Sequence, residues 1–362
     1  MTQVHVSLGA RSYSIDIERG ALSHVGRVLK SLKAGSLVAV VTDSNVGPLY
    51  AAAVTSALAA AGFTSRVFTV AAGERSKSIA ALKELWDGFV ALDMDRDSTV
   101  VALGGGVVGD LAGFAAATYM RGIRCVQLPT TMLACVDSSV GGKTAIDLES
   151  GKNLVGAFHQ PQAVLIDPSV LDTLPRRELR AGLSEVIKAA VSMDEPFFAW
   201  LETNIAKLLN LDPDAAAEAI RRCCELKARV VALDERESDQ RAILNYGHTV
   251  GHALETVKRY EELLHGEAVA VGMVVASRVA EKLKVVASDV TMRQKTLLES
   301  AGLPTTIEGP ATSDILKTMR HDKKTRGGEL TMVLPVRIGQ VKVVKDVDPE
   351  VIRQALEESR GG

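Results

Sequence analysis

Two histidines stand four residues apart in LNYGHTVGHALE (residues 244–255), and a third, His265, opens the nearby stretch HGEAVAVG. Residues four apart share one face of a helix, so His248 and His252 present two imidazoles to a common point. That spacing suits a divalent metal. Continued along the same period, Arg241, Asn245, His248, His252 and Glu255 are spaced 4, 3, 4 and 3. At ~100° per residue they fall within an arc of about 80°. Ile243, Leu244, Val250, Ala253 and Leu254 cover the other faces. A merely solvated face favours Lys and Glu over His and Asn. Gly247 and Gly251 each cost about 1 kcal/mol relative to Ala in a helix, which points to something lying close to the backbone. The expectation is one helix with a functional polar face.

A second chemical signal is TVVALGGGVVGDLAGF, in which an apolar strand runs through glycines into a helix. Gly104, Gly106 and Gly109 fit G-x-G-x-x-G, where missing side chains let backbone N–H groups approach a pyrophosphate. The match departs from the usual dinucleotide pattern, because the loop follows a later strand and no acidic residue ends a strand about 20 residues on. Asp43, closing the earlier strand SLVAVVTD, is the acidic residue placed to hold a ribose hydroxyl. The stretch GGKT at 141–144 looks like the end of a P-loop, but Ser138 stands where the earlier glycine is required. KTAIDLESGKN reads as a hairpin, so nucleoside triphosphate binding is rejected. Lys143, Lys152 and Asn153 can still converge on a phosphate across that hairpin. Glu185 and Lys188, three apart, read in isolation as a surface ion pair. Lys227, Glu237, Lys323 and Lys324 extend the inventory, which has the shape of a metal site, an anion site and a dinucleotide loop.

These groups must be held by a chain of 362 residues, long for one core. Lys+Arg 42 against Asp+Glu 44 leaves a net charge of −2, so no global field attracts nucleic acid or an anionic membrane. The N-terminus alternates like a strand rather than a signal peptide, and the apolar run AVAVGMVVAS falls well short of the roughly 20 residues that span a bilayer. Cysteines 125, 135, 223 and 224 have no C-x-x-C spacing and suit buried thiols in a reducing cytoplasm. Up to about residue 170, β-branched runs (36–43, 64–70, 98–105, 123–129, 162–168) alternate with helical stretches. That pattern predicts a parallel sheet with helices on its faces. An initial hairpin, VHVSL…SYSIDI, extends the sheet or tethers the domains. Beyond Pro175 nearly everything has helical period, apart from a hairpin in GGELTMVLPVRIGQVKVVK. The expected division is an α/β domain, residues 1–175, and a mostly helical domain, residues 176–362.

Taken in order, ALGGGVVGDLAGFAAATYMRG, QLPTTMLACVDSSVGGKTAID, GKNLVGAFHQP, GLSEVIKAA, LNYGHTVGHALE, LHGEAVAVGM and HDKK resemble the 3-dehydroquinate synthase family over nearly the whole chain. The resemblance implies an N-terminal NAD-binding α/β domain, a C-terminal helical domain holding zinc or cobalt, and a cytoplasmic homodimer. It also implies 3-deoxy-D-arabino-heptulosonate 7-phosphate as substrate, in the shikimate pathway to chorismate and the aromatic amino acids. The implied reaction oxidises a ring hydroxyl transiently, eliminates phosphate, restores the hydroxyl, opens the ring and closes a carbocycle by an aldol step, without net redox change.

Carried over residue by residue, the resemblance places metal ligands at Glu185, His248 and His265. Substrate contacts fall on Arg121, Asp137, Lys143, Asn153, Lys188, Lys227, Arg241, Asn245 and one of Lys323 and Lys324. Glu237 and His252 match proton-transfer positions, with Lys143 and Arg241 also in the catalytic set. NAD contacts fall on Asp43, Asn45, Glu74, Lys77, Gly105, Gly106, Asp110, Thr130, Thr131, Lys152, Leu171 and Thr173. Arg121 is implied to reach a partner subunit's site. Other readings are an iron-type polyol dehydrogenase, which has no use for so many anion-seeking cations, and a catalytically silent NAD sensor, which would lack metal or proton-transfer residues. Other sugar phosphate cyclases, including one acting on an amino-substituted analogue, share the plan. Arg241, Asn245 and Lys227 favour a carboxylated substrate.

Overall fold

Val38–Val41 and Val100–Leu103 bury every residue, so these runs belong to strands covered on both faces. The structure is a computed structural model describing residues 2–237, 240–258, 262–325 and 330–361, with the backbone alone for 321–325. By its internal contacts the chain divides into two units, Met1–Leu174 with Ala216–Arg236, and Pro175–Ala215 with Glu237–Gly362.

The first unit contains β1 (Thr2–Val6), β2 (Tyr13–Ile17), β3 (Leu37–Asp43), β4 (Thr64–Val70), β5 (Thr99–Gly104), β6 (Arg124–Pro129), β7 (Lys143–Leu148), β8 (Gly151–Phe158) and β9 (Ala163–Ile166). Between them lie α1 (Val25–Ser31), α2 (Gly47–Ala60), α3 (Ile79–Ala91) and α4 (Gly106–Thr118). Seven strands form one sheet in the order β1-β2-β9-β6-β5-β3-β4. All pairs are parallel except β1–β2, the initial hairpin, which extends the sheet beside β9. Residues of α1 and α2 pack with Val38, Val40, Val101 and Leu103 on one face. Those of α3 and α4 pack with Ala39, Val41, Val100 and Ala102 on the other.

The chain leaves β3 for β4 on one side and continues to β5 on the other, so the strand order reverses between β3 and β5. In open α/β sheets the carboxyl ends of strands at such a reversal form the usual ligand crevice. Asp43 ends β3, and Gly104 to Gly106 join β5 to α4. The glycine loop therefore follows a later strand because the reversal lies there. KTAIDLESGKN forms the β7–β8 antiparallel hairpin.

The second unit contains α5 (Arg176–Met193), α6 (Glu195–Leu209), the start of α7 (Pro213–Leu233), α8 (His248–Val257), α9 (His265–Lys282), α10 (Ser288–Ser300), α11 (Thr312–Thr325), the hairpin β10 (Met332–Arg337) and β11 (Gln340–Val344), and α12 (Pro349–Glu358). Treating 176–362 as one block differs from the structure in one stretch. Most of α7 belongs with the first unit, where Lys227 Nζ donates to the Asp137 carbonyl at 2.7 Å and Cys224 Sγ lies 3.4 Å from the Cys135 carbonyl. All four cysteines are free and buried, and burial pushes the Cys125 and Cys224 thiols up to about 12.

Helix α9 is apolar all round through Ala268–Ala276 and is packed by α5, α8, α10, α12 and β10. Two glycines set how closely its neighbours approach. A Cβ at Gly266 would stand 1.9 Å from the Ala181 carbonyl oxygen of α5, and one at Gly272 would stand 2.0 Å from the Gly247 carbonyl oxygen before α8. The single helix expected over 241–255 is corrected. Gln240–Asn245 is a short 3₁₀ turn, and α8 begins at His248. Gly247, at φ +79°, is left-handed, a conformation that ends one helical segment and starts another at little cost only in glycine. Helical spacing continues through LNYGHT, but the backbone does not.

Candidate active site

Glu185 lies on α5, His248 opens α8 and His265 opens α9. Their ligand atoms lie within 4.8 Å of one another. Glu185 Oε1 is 3.8 Å from His248 Nε2 and 3.6 Å from His265 Nε2. Its other oxygen, Oε2, is 2.5 Å from Lys188 Nζ, with both side chains buried. The surface ion pair suggested by this spacing is thus a core pair that holds one carboxylate oxygen and turns the other toward two imidazoles. His248 Nδ1 lies 3.2 Å from the Tyr246 carbonyl oxygen, which assigns the proton to Nδ1 and leaves an unprotonated Nε2 able to ligate.

A tetrahedral ion holding ligands at about 2.1 Å keeps them about 3.4 Å apart, and two His with one carboxylate is a known catalytic zinc set that leaves a position open. The donor set and its spacing fit a divalent metal. Burial and the Lys188 charge drive His248 well below the usual histidine range, so it stays neutral and able to ligate. Burial also works against charge on His265, but Glu185 and Glu255 outweigh it and push that ring up to about 10. Two carboxylates around one imidazole make a place that favours positive charge.

His252 is exposed, its ring centroid 5.2 Å from that of His248 and 5.9 Å from that of His265. With Glu255 and His265 it forms a second His/Glu grouping. Arg241 is 1% exposed, the bulkiest of the fully buried side chains. Asn245 Nδ2 donates to Glu237 Oε1 at 2.8 Å. Lys323 and Lys324 fall at the end of α11, and their side chains lie outside the described residues.

Within the first unit, Lys77 gathers a polar cluster. Its buried ammonium donates to Asp110 Oδ2 at 2.8 Å and to Asn153 Oδ1, and lies 3.6 Å from Glu74. Lys152 Nζ lies 3.7 Å from the same Glu74 oxygen. Desolvation works to lower the Lys77 pKa, but Asp110 and Glu74 outweigh it and raise it. Asp147, which the sequence did not single out, accepts from the Asn153 N–H at 2.8 Å, and its own N–H donates to the Lys77 carbonyl. Lys227 pairs with Asp137. At the sheet reversal, Asp43 Oδ1 accepts from the N–H groups of Asn45 and Val46. The Thr130 N–H donates to the Gly104 carbonyl at 2.9 Å, while its buried hydroxyl has no protein partner. A Cβ on Gly105 would meet Thr131 at 3.0 Å. A glycine path into a helix, an orphan hydroxyl and an acidic strand end fit a dinucleotide. Thr173 Oγ1 lies 2.7 Å from the Tyr50 hydroxyl beside buried Leu171. Lys143 and Arg121 are exposed.

Arg121, Asn153 and Glu237 share a feature that residue spacing does not carry. They sit at φ 69°, 56° and 56°, three of the nine non-glycine residues at positive φ among the described residues, a conformation that is costly outside glycine. Comparison with known proteins decides the family. Residues 67–181 match the model for the 3-dehydroquinate synthase N-terminal domain, and residues 182–325 match that for its C-terminal domain. The chain belongs to the 3-dehydroquinate synthase family.

It is 51% identical to a 3-dehydroquinate synthase of Desulforamulus reducens (strain ATCC BAA-1160 / DSM 100696 / MI-1) over 348 residues, 96% of this chain and 97% of that one. Among solved structures it resembles 2-deoxy-scyllo-inosose synthase complexed with carbaglucose-6-phosphate, NAD+ and Co2+ (26% identity, TM-score 0.90, 99% and 100% of the two chains). It also resembles 2-epi-5-epi-valiolone synthase from Streptomyces hygroscopicus subsp. jinggangensis 5008 with NAD+ and Zn2+ bound (29%, 0.87, 97% and 98%). Within the 3-dehydroquinate synthase family frame, Glu255 and Asp147 are the buried or half-buried acids that motif reading left without a role. Glu255 stood on the polar face from the start, and Asp147 lay inside the hairpin motif.

The two histidines of the first motif fall in different groupings, His248 with Glu185 and His265, and His252 with Glu255 and His265. His248→Ala and His265→Ala are expected to remain folded without bound metal, whereas His252→Ala keeps about one ion per subunit and loses most turnover. Metal content by atomic emission and activity, measured on the same preparations, checks this. A folded, metal-free His252→Ala protein would make His252 a ligand.

Proposed function

We propose that this chain converts 3-deoxy-D-arabino-heptulosonate 7-phosphate to 3-dehydroquinate and phosphate, as a shikimate-pathway lyase that uses NAD and one zinc or cobalt ion. The observation that carries this reading is the Glu185–His248–His265 cluster in a chain matched by both family domains. The 51% identity to a 3-dehydroquinate synthase, against 26% and 29% to the two other cyclases, favours the carboxylated heptulosonate over their substrates. When bound, NAD accepts and returns a hydride, and the metal polarises the substrate oxygen at which that redox change occurs.

The chain's own residues then have distinct work. The α/β domain holds the dinucleotide through Asp43, Asn45, Gly105, Gly106, Thr130, Thr131, Leu171, Thr173 and the Glu74–Lys77–Asp110–Lys152 cluster. Glu185, His248 and His265 hold the metal. Lys143 and Asn153 bind the phosphate as charge-assisted and neutral donors, while Arg241, Asn245 and Lys227 orient the carboxylate-bearing end. Asp137 positions Lys227, and Lys188 holds Glu185. His252, exposed and one turn beyond His248, is placed to move a proton at the phosphate end. Glu237, hydrogen-bonded to Asn245, is the second proton carrier. Four buried, free thiols suit the cytoplasm. No helix among the described residues is long and apolar enough to cross a membrane.

With substrate in excess and NAD at trace level, phosphate release should match product formation one for one, and NADH should not accumulate. NADH formed in step with substrate consumed would instead mark a polyol dehydrogenase.

We propose a homodimer in addition. Leu154 and Phe158, on one face of β8, are 57% and 45% exposed, an apolar pair of a kind that marks association. Met120, exposed beside the strained Arg121, sits at φ 50°. Leu154→Asp combined with Phe158→Asp should give a folded monomer by sedimentation with reduced activity. A wild type sedimenting as a monomer at micromolar concentration would refute the dimer.

A further inference from the structure

Glu255 is 4% exposed on α8, seven residues beyond His248. A carboxylate taken out of water at that depth needs compensating partners. Its Oε2 lies 3.3 Å from His265 Nδ1. The opposite ring nitrogen, Nε2, lies 3.6 Å from Glu185 Oε1. The His265 ring is thus held between two carboxylates from two different helices, each addressing one nitrogen. We propose that Glu255 is a positioning residue of the metal centre: its carboxylate holds the Nδ1–H of His265, so that the Nε2 lone pair faces Glu185 and the cation.

Three observations support this beyond the contact itself. The arrangement repeats on the other histidine, where the Tyr246 carbonyl stands 3.2 Å from His248 Nδ1. Both rings are therefore addressed at Nδ1 by the protein and turn Nε2 toward the same Glu185 oxygen. The two acceptors differ in strength in the direction that the surroundings require. The His248 side chain is 12% exposed and confined by packing, whereas that of His265 is 33% exposed and needs the stronger, charged acceptor to hold one orientation.

Both histidines also occupy the first position of their helices. Unpaired backbone N–H groups there carry partial positive charge and work against a cation. Glu185 already shares its charge with Lys188. A second carboxylate, one bond network outside the ligand set, offsets the α9 end beside His265 without occupying a coordination position. That leaves the open position to the substrate.

This inference rests on the metal-binding reading, and the experiment separates the failure of one from the failure of the other. Zinc affinity is measured by competition with a chromophoric chelator for the wild type, Glu255→Gln and Glu255→Ala, alongside melting temperature of the metal-free proteins. The wild type should bind about one ion per subunit. Glu255→Ala should bind it about 10–100-fold more weakly, and Glu255→Gln, which keeps an acceptor oxygen of the same shape, should fall between the two. Activity at saturating zinc should recover in both variants. The Gln protein decides the matter if the Ala protein does not fold: weakened binding at an unchanged melting temperature supports positioning. Wild-type affinity in the Gln and Ala proteins overturns it. Uptake of two ions by the wild type, with the second lost in both variants, also overturns it, because Glu255 would then be a ligand in the His252–Glu255–His265 group. A wild type that binds no zinc removes the metal centre itself.

Discussion

The arrangement depends on backbone-to-backbone contact around α9. Gly266 leaves room for the carbonyl of Ala181 and Gly272 for the carbonyl of Gly247. No side chain can be interposed at either point, so α5 and the start of α8 lie directly against α9. Glu185 is one turn beyond Ala181, His248 follows Gly247, and His265 precedes Gly266. Each proposed ligand is therefore within a turn of a glycine contact, and the spacing of three helices becomes the spacing of three ligand atoms. Well-packed interiors deform little, which lets such contacts hold a site to the tolerance that a metal demands.

Charge is handled locally. A net charge of −2 over 362 residues conceals dense paired clusters. Lys188 sits on Glu185, Lys227 on Asp137, and Lys77 among Asp110, Glu74 and Asn153. Pairing of this kind makes burial of ionised groups tolerable. It also presents cations and carboxylates already ordered, so an anionic substrate meets donors whose conformational entropy has largely been lost in folding. The left-handed backbones at Arg121, Asn153 and Glu237 suggest that some of this order is maintained against local strain.

Much of this was legible in the residues. Continuous β-branched runs gave away a sheet covered on both faces, and the glycine loop, Asp43 and both later hairpins fall where patterning placed them. What patterning could not carry was conformation and depth. The heptad-like spacing from Arg241 to Glu255 persists through Tyr246 and Gly247, although the chain there turns left-handed and begins a new helix. An i,i+3 Glu–Lys pair reads alike on a surface and in a core, and only packing shows Glu185 and Lys188 to be buried. Helix α7 has a clear period, yet its contacts with Asp137 and Cys135 rather than its sequence assign it to the first unit. The roles of Asp147 and Glu255 depend on neighbours far along the chain, which spacing alone does not reveal.

Glycine-mediated helix contact, and not the ligand residues alone, makes the proposed metal site. Gly272→Ala tests it most directly, since it leaves every ligand in place and adds a single methyl 2.0 Å from the Gly247 carbonyl. The measurement is equilibrium zinc binding on protein shown by circular dichroism to retain its helices. A weakening of at least about tenfold is expected, in the range produced by disturbing the support of metal ligands. Wild-type affinity in a folded Gly272→Ala protein would mean that the ligand residues suffice without this contact.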